Sequence, residues 1–178
     1  MHVMIDIETL STHPTAAFFE VAAVPFDLDR KEPHAGDLHS NPGSLHLHID
    51  PSNQIESGKF HVDWNTIKWW KNQTQSWDVP ERIPTLMALQ KLINTFNWKE
   101  VEGIWSKGSC FDIPILDHAF RAYGLKTPWS YRSVWDVRTI EMLARTTKTT
   151  NPSHNALEDA LSQINDVQAA RRILVGEE

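Results

Sequence analysis

The chain has 178 residues, 40% of them hydrophobic and 22% charged, with a formal net charge of −6. That length suits one well-cored domain over 1–178 and is short for two, and no apolar run approaches a membrane span, so no membrane contact is expected. The acidic balance excludes a broad basic surface that captures polyanions, and the single cysteine, Cys110, excludes an internal disulfide or a multi-cysteine zinc site.

The stretch Met4-Ile5-Asp6-Ile7-Glu8-Thr9-Leu10 opens as an apolar, β-branched run without Gly or Pro, and it reads as a buried strand. No basic region or signal-peptide core precedes it, which points to a cytoplasmic protein. Side chains alternate along a strand, so Asp6 and Glu8 share one face and Ile5 and Ile7 the other. Two carboxylates so close on an apolar strand are costly unless a cation sits between them, and hard divalent ions take carboxylate oxygens. Spacing alone leaves a second reading open, in which the strand ends near Asp6 and both acids are solvated.

Ser11 to Thr15, with Pro14, make a turn, and Phe18 to Phe26 read as a second strand in hairpin with the first. Glu20 within it reads as a hydrogen-bonded structural acid or an edge residue. Asp27 to Pro42, holding Pro33, Gly36 and Pro42, predicts a loop. Ser44 to Ile49 alternates Leu45, Leu47 and Ile49 against His46 and His48, a half-buried third strand with the histidines on its wet face. With His34, His39 and His61 near in sequence, a zinc site there is conceivable.

Asp63 is a good N-cap for a helix from Trp64 carrying Ile67, Trp69 and Trp70. Adjacent helix positions lie about 100° apart, so one tryptophan can pack inward while the other faces a groove. Pro80 and Pro84 punctuate the chain, after which Leu86, Leu89, Ile93 and Phe96 predict the inner face of an amphipathic helix. Val101 to Ser106 predicts a fourth strand. Lys107-Gly108-Ser109-Cys110-Phe111-Asp112 then delivers an acid at the start of a helix with Ile113, Leu116, Phe120 and Tyr123 inside and Gly124 at its end. Asp112 reads equally well as an acid answering the helix dipole. Val134 to Arg145 predicts a short strand and a helix that Asp136 can cap. Thr146 to Ser153 is a polar loop. The last helix runs from about Asn155 to Val175, with Leu157, Leu161, Ile164 and Val167 inward, His154 just before it and Asp159 within it. The eight tryptophans can stack on bases or fill core and groove walls. Strands alternating with helices make an α/β layer fold.

In order, Asp6 and Glu8, then Asp112, then His154 and Asp159 resemble the DEDD exonuclease superfamily, in its DnaQ-like branch with a catalytic histidine (DEDDh). The motifs are Asp6-Ile7-Glu8-Thr9, Phe111-Asp112, and His154-Asn155-Ala156-Leu157-Glu158-Asp159 with His five positions before Asp. Phe19-Glu20-Val21-Ala22-Ala23-Val24 looks like the family's second strand, so the resemblance spans nearly the whole chain. The Trp69-Trp70 helix and the Trp105 strand are most similar to the compact exoribonuclease-like domains of bacteria and related phage exonucleases. The resemblance implies a ribonuclease H-like fold, a central mixed β-sheet flanked by α-helices.

It also implies a 3′–5′ exonuclease that uses two divalent ions, Mg²⁺ or Mn²⁺, to release 5′-mononucleotides from single-stranded DNA or RNA. Asp6, Glu8 and Asp159 would bind the nucleophile-side ion, Asp6 would bridge to the second, and Asp112 would support that one. His154 would take the proton from the attacking water. Thr9 and Leu10 would touch the terminal nucleotide, and one of Trp69 and Trp70, with Phe111, would stack on bases. Many relatives carry an asparagine shortly before the second-motif aspartate. Lys107 and Gly108 stand there in this chain, and Lys107 is a candidate to meet a phosphate. The expected partner is single-stranded nucleic acid or a 3′ end, with a homodimer left open. Three other readings stand beside this one: an exoribonuclease strictly specific for RNA 3′ overhangs, a non-catalytic nucleic-acid binding module of the same fold, and a zinc-dependent protein using the His46-His48 strand.

Overall fold

The sheet grows outward from its first strand, β1 (His2–Thr9), which lies inside it with a partner on each side. The computed structural model describes residues 1–30, 41–73, 81–146 and 152–177. Most of the loop expected over 27–42, with His34 and His39, lies outside the described residues, as do Pro80 and residues 147–151 of the loop before the last helix.

β2 (Phe18–Phe26) pairs antiparallel with β1, and β3 (Leu45–Asp50) antiparallel with β2. The two-residue β4 (Ile83–Pro84) extends that edge in parallel. On the other side β5 (Gly103–Ser106) and β6 (Val134–Asp136) run parallel to β1, giving the mixed order β4-β3-β2-β1-β5-β6. The helices are α1 (Ser52–Glu56), α2 (Trp64–Trp70), α3 (Thr85–Thr95), α4 (Ser109–Ala122), α5 (Val137–Ala144) and α6 (Ala156–Val175). No helix among the described residues is long and apolar enough to cross a membrane.

Alternation along β1 divides the core in two. Val3, Ile5 and Ile7 pack with Leu89 and Leu92 of α3 and with Ile113, Leu116 and Phe120 of α4. Met4 faces the other way with Ala22, Val24, Val137 and the α6 residues Leu157, Leu161, Ile164 and Val167. Each such side chain contributes roughly 1.5–3 kcal/mol on burial. Asp6 and Glu8 continue the Met4 face, beneath the start of α6.

Two expectations change, and the place of Asp112 at the start of a helix holds. The inner stripe of α3 is Thr85, Ala88, Leu89 and Leu92, whereas Leu86 is 40% exposed and Phe96 stands past the helix end. Thr85 sets that rotation: its hydroxyl accepts the Gln54 side-chain amide at 2.9 Å, turning Leu86 outward. Helix α4 begins three residues before Asp112, which therefore lies in its first turn. His46 and His48 do not stand on a wet face. They are half-buried, and His46 Nε2 lies 2.7 Å from Glu20 Oε1.

Candidate active site

Four segments meet at the mouth of β1. β1 brings Asp6 and Glu8 on the α6 face. Beyond β5 the chain turns through Lys107 and Gly108 into α4, which carries Asp112. Gly108 has φ +106°, a left-handed backbone that calls for glycine, and a Cβ there would lie 2.9 Å from Arg138 Nη1 and displace that guanidinium. Asp136 fixes this corner with one carboxylate. Its Oδ2 accepts from Gly108 N (3.1 Å) and Ser109 N (2.7 Å), and its Oδ1 accepts from Thr139 N (3.0 Å), so it tethers the starts of α4 and α5 together.

The fourth segment is the entry to α6. Asn155 caps that helix, accepting from Leu157 N and Glu158 N, each at 3.1 Å. Asp159 reaches back to accept from Ser153 N at 2.7 Å and His154 N at 3.0 Å. That clamp holds His154 at φ +61°, a left-handed conformation that costs a non-glycine residue energy and that clusters at functional sites. Donor atoms of Glu8, His154 and Asp159 all lie within 4.8 Å of one another.

A cavity of about 220 Å³ opens here, lined by Asp6, Glu8, Asp112, His154 and Asp159 along with Lys107, Phe111, Arg138 and Gln163. Burial, then the charges of Asp112 and Glu8, hold the Asp6 carboxyl well above the usual range, although Gln163 Nε2 donates to its Oδ1 at 2.7 Å. Burial, then Glu20, Asp159 and Asp112, push Glu8 up to about 9. Burial pushes Asp112 up to about 7, opposed in part by Arg138. Acids so crowded ionise together only when a cation is among them. Lys107 does not serve: its ammonium donates to Glu141 at 2.6 Å and to Asp166 at 3.0 Å, bracing α5 against α6. The oxygen-rich donor set fits a hard divalent ion.

The five motif residues thus come together, and the expected substrate contacts divide. Phe111 and Lys107 line the cavity. Trp69 is 39% exposed with its ring edge-on to His154 at 4.6 Å. Trp70 is buried, donating Nε1 to the Thr9 carbonyl at 2.8 Å, so it is a wall and not a stacking surface. Thr9 is buried with its hydroxyl donated to Ser11 O at 2.7 Å, and Leu10 belongs to the core; neither lines the cavity. Sequence reasoning missed Gln163 and Arg138. Gln163 stands one helical turn after Asp159, a spacing readable in the sequence once Asp159 is known to face the site. Arg138 carried no such signal.

A family model described as the 3′–5′ exoribonuclease Rv2179c-like domain matches residues 1–171. The exodeoxyribonuclease of Enterobacteria phage T4 is 29% identical over 124 residues, 64% of this chain. The chain spans 52% of that enzyme's length. Among solved structures, E. coli exonuclease I in complex with a dT13 oligonucleotide superposes with a TM-score of 0.66 at 14% identity, covering 99% of this chain and 42% of that one. The nuclease domain of 3′hExo, a DEDDh family member bound to rAMP, gives 0.55 at 15% identity, covering 98% and 92%. At such identities these likenesses establish the fold, a ribonuclease H-like mixed sheet flanked by helices.

Proposed function

Because the chain belongs to the Rv2179c-like family of 3′–5′ exoribonuclease domains, we propose that it removes nucleotides one at a time from the 3′ end of single-stranded nucleic acid in the cytoplasm, with RNA its first substrate. The observation that carries this reading is the convergence of Asp6, Glu8, Asp112, His154 and Asp159 on one cavity. DNA is the second reading, favoured by the likeness to the phage exodeoxyribonuclease.

Asp6, Glu8, Asp112 and Asp159 would hold the divalent ions, two of Mg²⁺ or Mn²⁺. When bound, these supply charge neutralisation at the phosphate and the leaving oxygen. The chain's own residues do the rest. A ring nitrogen of His154 takes the proton from the attacking water, and the Asp159 clamp on the His154 amide fixes where that ring sits. Gln163 orients Asp6. Arg138, across from Asp112, answers phosphate charge as the strand enters. Trp69 and Phe111 offer faces for unpaired bases, each stack being worth roughly 1–3 kcal/mol.

The test compares end-labelled linear single strands of RNA and DNA with their circular forms, in Mg²⁺ and in Mn²⁺. Stepwise loss of 5′-mononucleotides from the 3′ end of linear strands, faster on RNA, is expected. A 3′-phosphate should block the reaction. Cutting of circles at a comparable rate would overturn the exonuclease reading, and faster loss from DNA would reverse the substrate order.

A further inference from the structure

We propose that Glu20, His46 and His48 form a second cation site, apart from the acidic cavity, that takes a nitrogen-preferring divalent ion, zinc first. Sheet register builds it. Glu20 of β2 sits opposite His48 of β3, and Ala22 opposite His46, so period-two alternation brings all three side chains to the face that also carries Glu8, the partner of Glu20 on β1. Their donor atoms lie within 4.8 Å of one another. The side chains of His46 and Glu20 are 13% and 2% exposed, so the cluster is largely shielded from water.

His48 Nδ1 supports this site: it is buried and has no hydrogen-bond partner among the described residues, and an unanswered buried polar atom costs about 1–3 kcal/mol. Burial also lowers the pKa of His48, leaving the neutral imidazole that a metal requires. Two imidazoles and one carboxylate form a donor set that suits zinc, with a fourth position for water, whereas the carboxylate-dominated cavity next door suits Mg²⁺ or Mn²⁺. Tetrahedral zinc with bonds of about 2.0–2.2 Å wants donors roughly 3.3–3.5 Å apart. The 2.7 Å His46–Glu20 pair must therefore open slightly, and no pair, each being within 4.8 Å, needs to close by more than about 1.5 Å. Arg82 adds a positive charge nearby, and its guanidinium is engaged with the Ile49 carbonyl at 3.2 Å.

The consequence lies in Glu20 Oε1, which also accepts from Ala156 N at 3.0 Å, at the first turn of the helix that follows His154. An ion here ties the β2–β3 edge to the start of α6 without entering the cavity. Zinc titration of the dialysed full chain, read by competition with a chromophoric chelator, tests this. Wild-type protein and Asp6→Asn/Asp159→Asn should each bind one zinc tightly. His46→Gln and His48→Gln should each lose more than about tenfold in affinity, since even partners outside a ligand shell are worth 10–100-fold. Zinc should raise Tm in the double variant and not when His48→Gln is added to it, with zinc-free Tm values confirming that both fold. Cobalt in the double variant should show visible bands that are lost when His48→Gln is added. Retention of full zinc affinity in both histidine variants, or its loss in Asp6→Asn/Asp159→Asn alone, would overturn the proposal.

Discussion

The carboxyl of Asp6 is half-buried at the cavity, faces Glu8, Asp112 and Asp159, and accepts the Gln163 amide. Replacing it with Asn removes one charge from this crowd and one ligand from the proposed ion site. Asp6→Asn should therefore abolish hydrolysis at saturating Mg²⁺ while raising Tm in EDTA; unaltered turnover would remove Asp6 from the reaction. Gln163→Ala acts in the opposite sense. Without that donor the Asp6 carboxyl holds its proton more firmly, and an ion must displace it. The Mg²⁺ concentration for half-maximal rate should rise by about tenfold or more, with the rate at saturation recovering much of its wild-type value. An unchanged Mg²⁺ requirement would show that Gln163 does not tune the site. His154→Ala should lower turnover by about 10² with KM nearly unchanged, the usual loss for a missing general base. If KM rises with turnover intact, the ring serves instead as a wall for Trp69.

At the scale of elements, polar side chains add braces to the apolar faces that hold the acid-bearing segments in the cores. Asp136 ties α4 to α5, and Lys107 ties the β5–α4 turn to α5 and α6. Lys107→Ala would leave Glu141 and Asp166 facing each other in a largely buried place. The expected loss is on the order of 3 kcal/mol at neutral pH, easing as the solution is acidified. A raised KM for the strand with unchanged Tm would instead mean that Lys107 serves a phosphate first. These braces also explain what could be read from the chain. The β1–β2 hairpin, α2 with its Asp63 cap and α6 were legible because alternation, capping and helical periodicity each run for several residues there. β4 and α1 span two and five residues, too few for a period to register. The rotation of α3 depends on a hydrogen bond from Gln54, and the use of Lys107 on two acids far along the chain; both are tertiary facts that no local pattern carries. The order of the motif residues was readable because their chemistry fixes type and order, whereas the burial of Thr9 and Leu10 behind the cavity does not show in a tripeptide.

For the whole molecule, the acidic cavity makes stability depend on pH in an unusual direction. Most folded proteins lose stability in acid because native carboxylates must be protonated. Asp50, Asp63, Glu102 and Asp136, whose pKa values are lowered, behave that way, and their contribution is lost only as pH falls below the ordinary carboxylate range of about 4. His2 and His48 are held neutral by burial, so they too weaken the fold below about pH 6.5, where the unfolded chain takes up their protons. Asp6 and Glu8 have the opposite sign. Their folded pKa values lie above the unfolded ones, so their contribution is fully present below about pH 4 and is lost as pH rises through the folded values, about 9 for Glu8. Asp112 adds to the same slope up to about 7. Between pH 7 and 9 His2, His48 and these four lowered carboxylates are silent. In EDTA, stability should therefore fall across that window, by at most about 1.4 kcal/mol per pH unit for each proton held, and Tm should fall with it. Mg²⁺ should restore the loss at pH 9 and do less at pH 7, because at the lower pH the ion must first expel protons from the acids. Asp6→Asn should flatten the EDTA curve. A wild-type Tm in EDTA that stays level or rises from pH 7 to 9 would mean that these carboxyls are ionised without a cation, and the electrostatic case for an ion among them would fail.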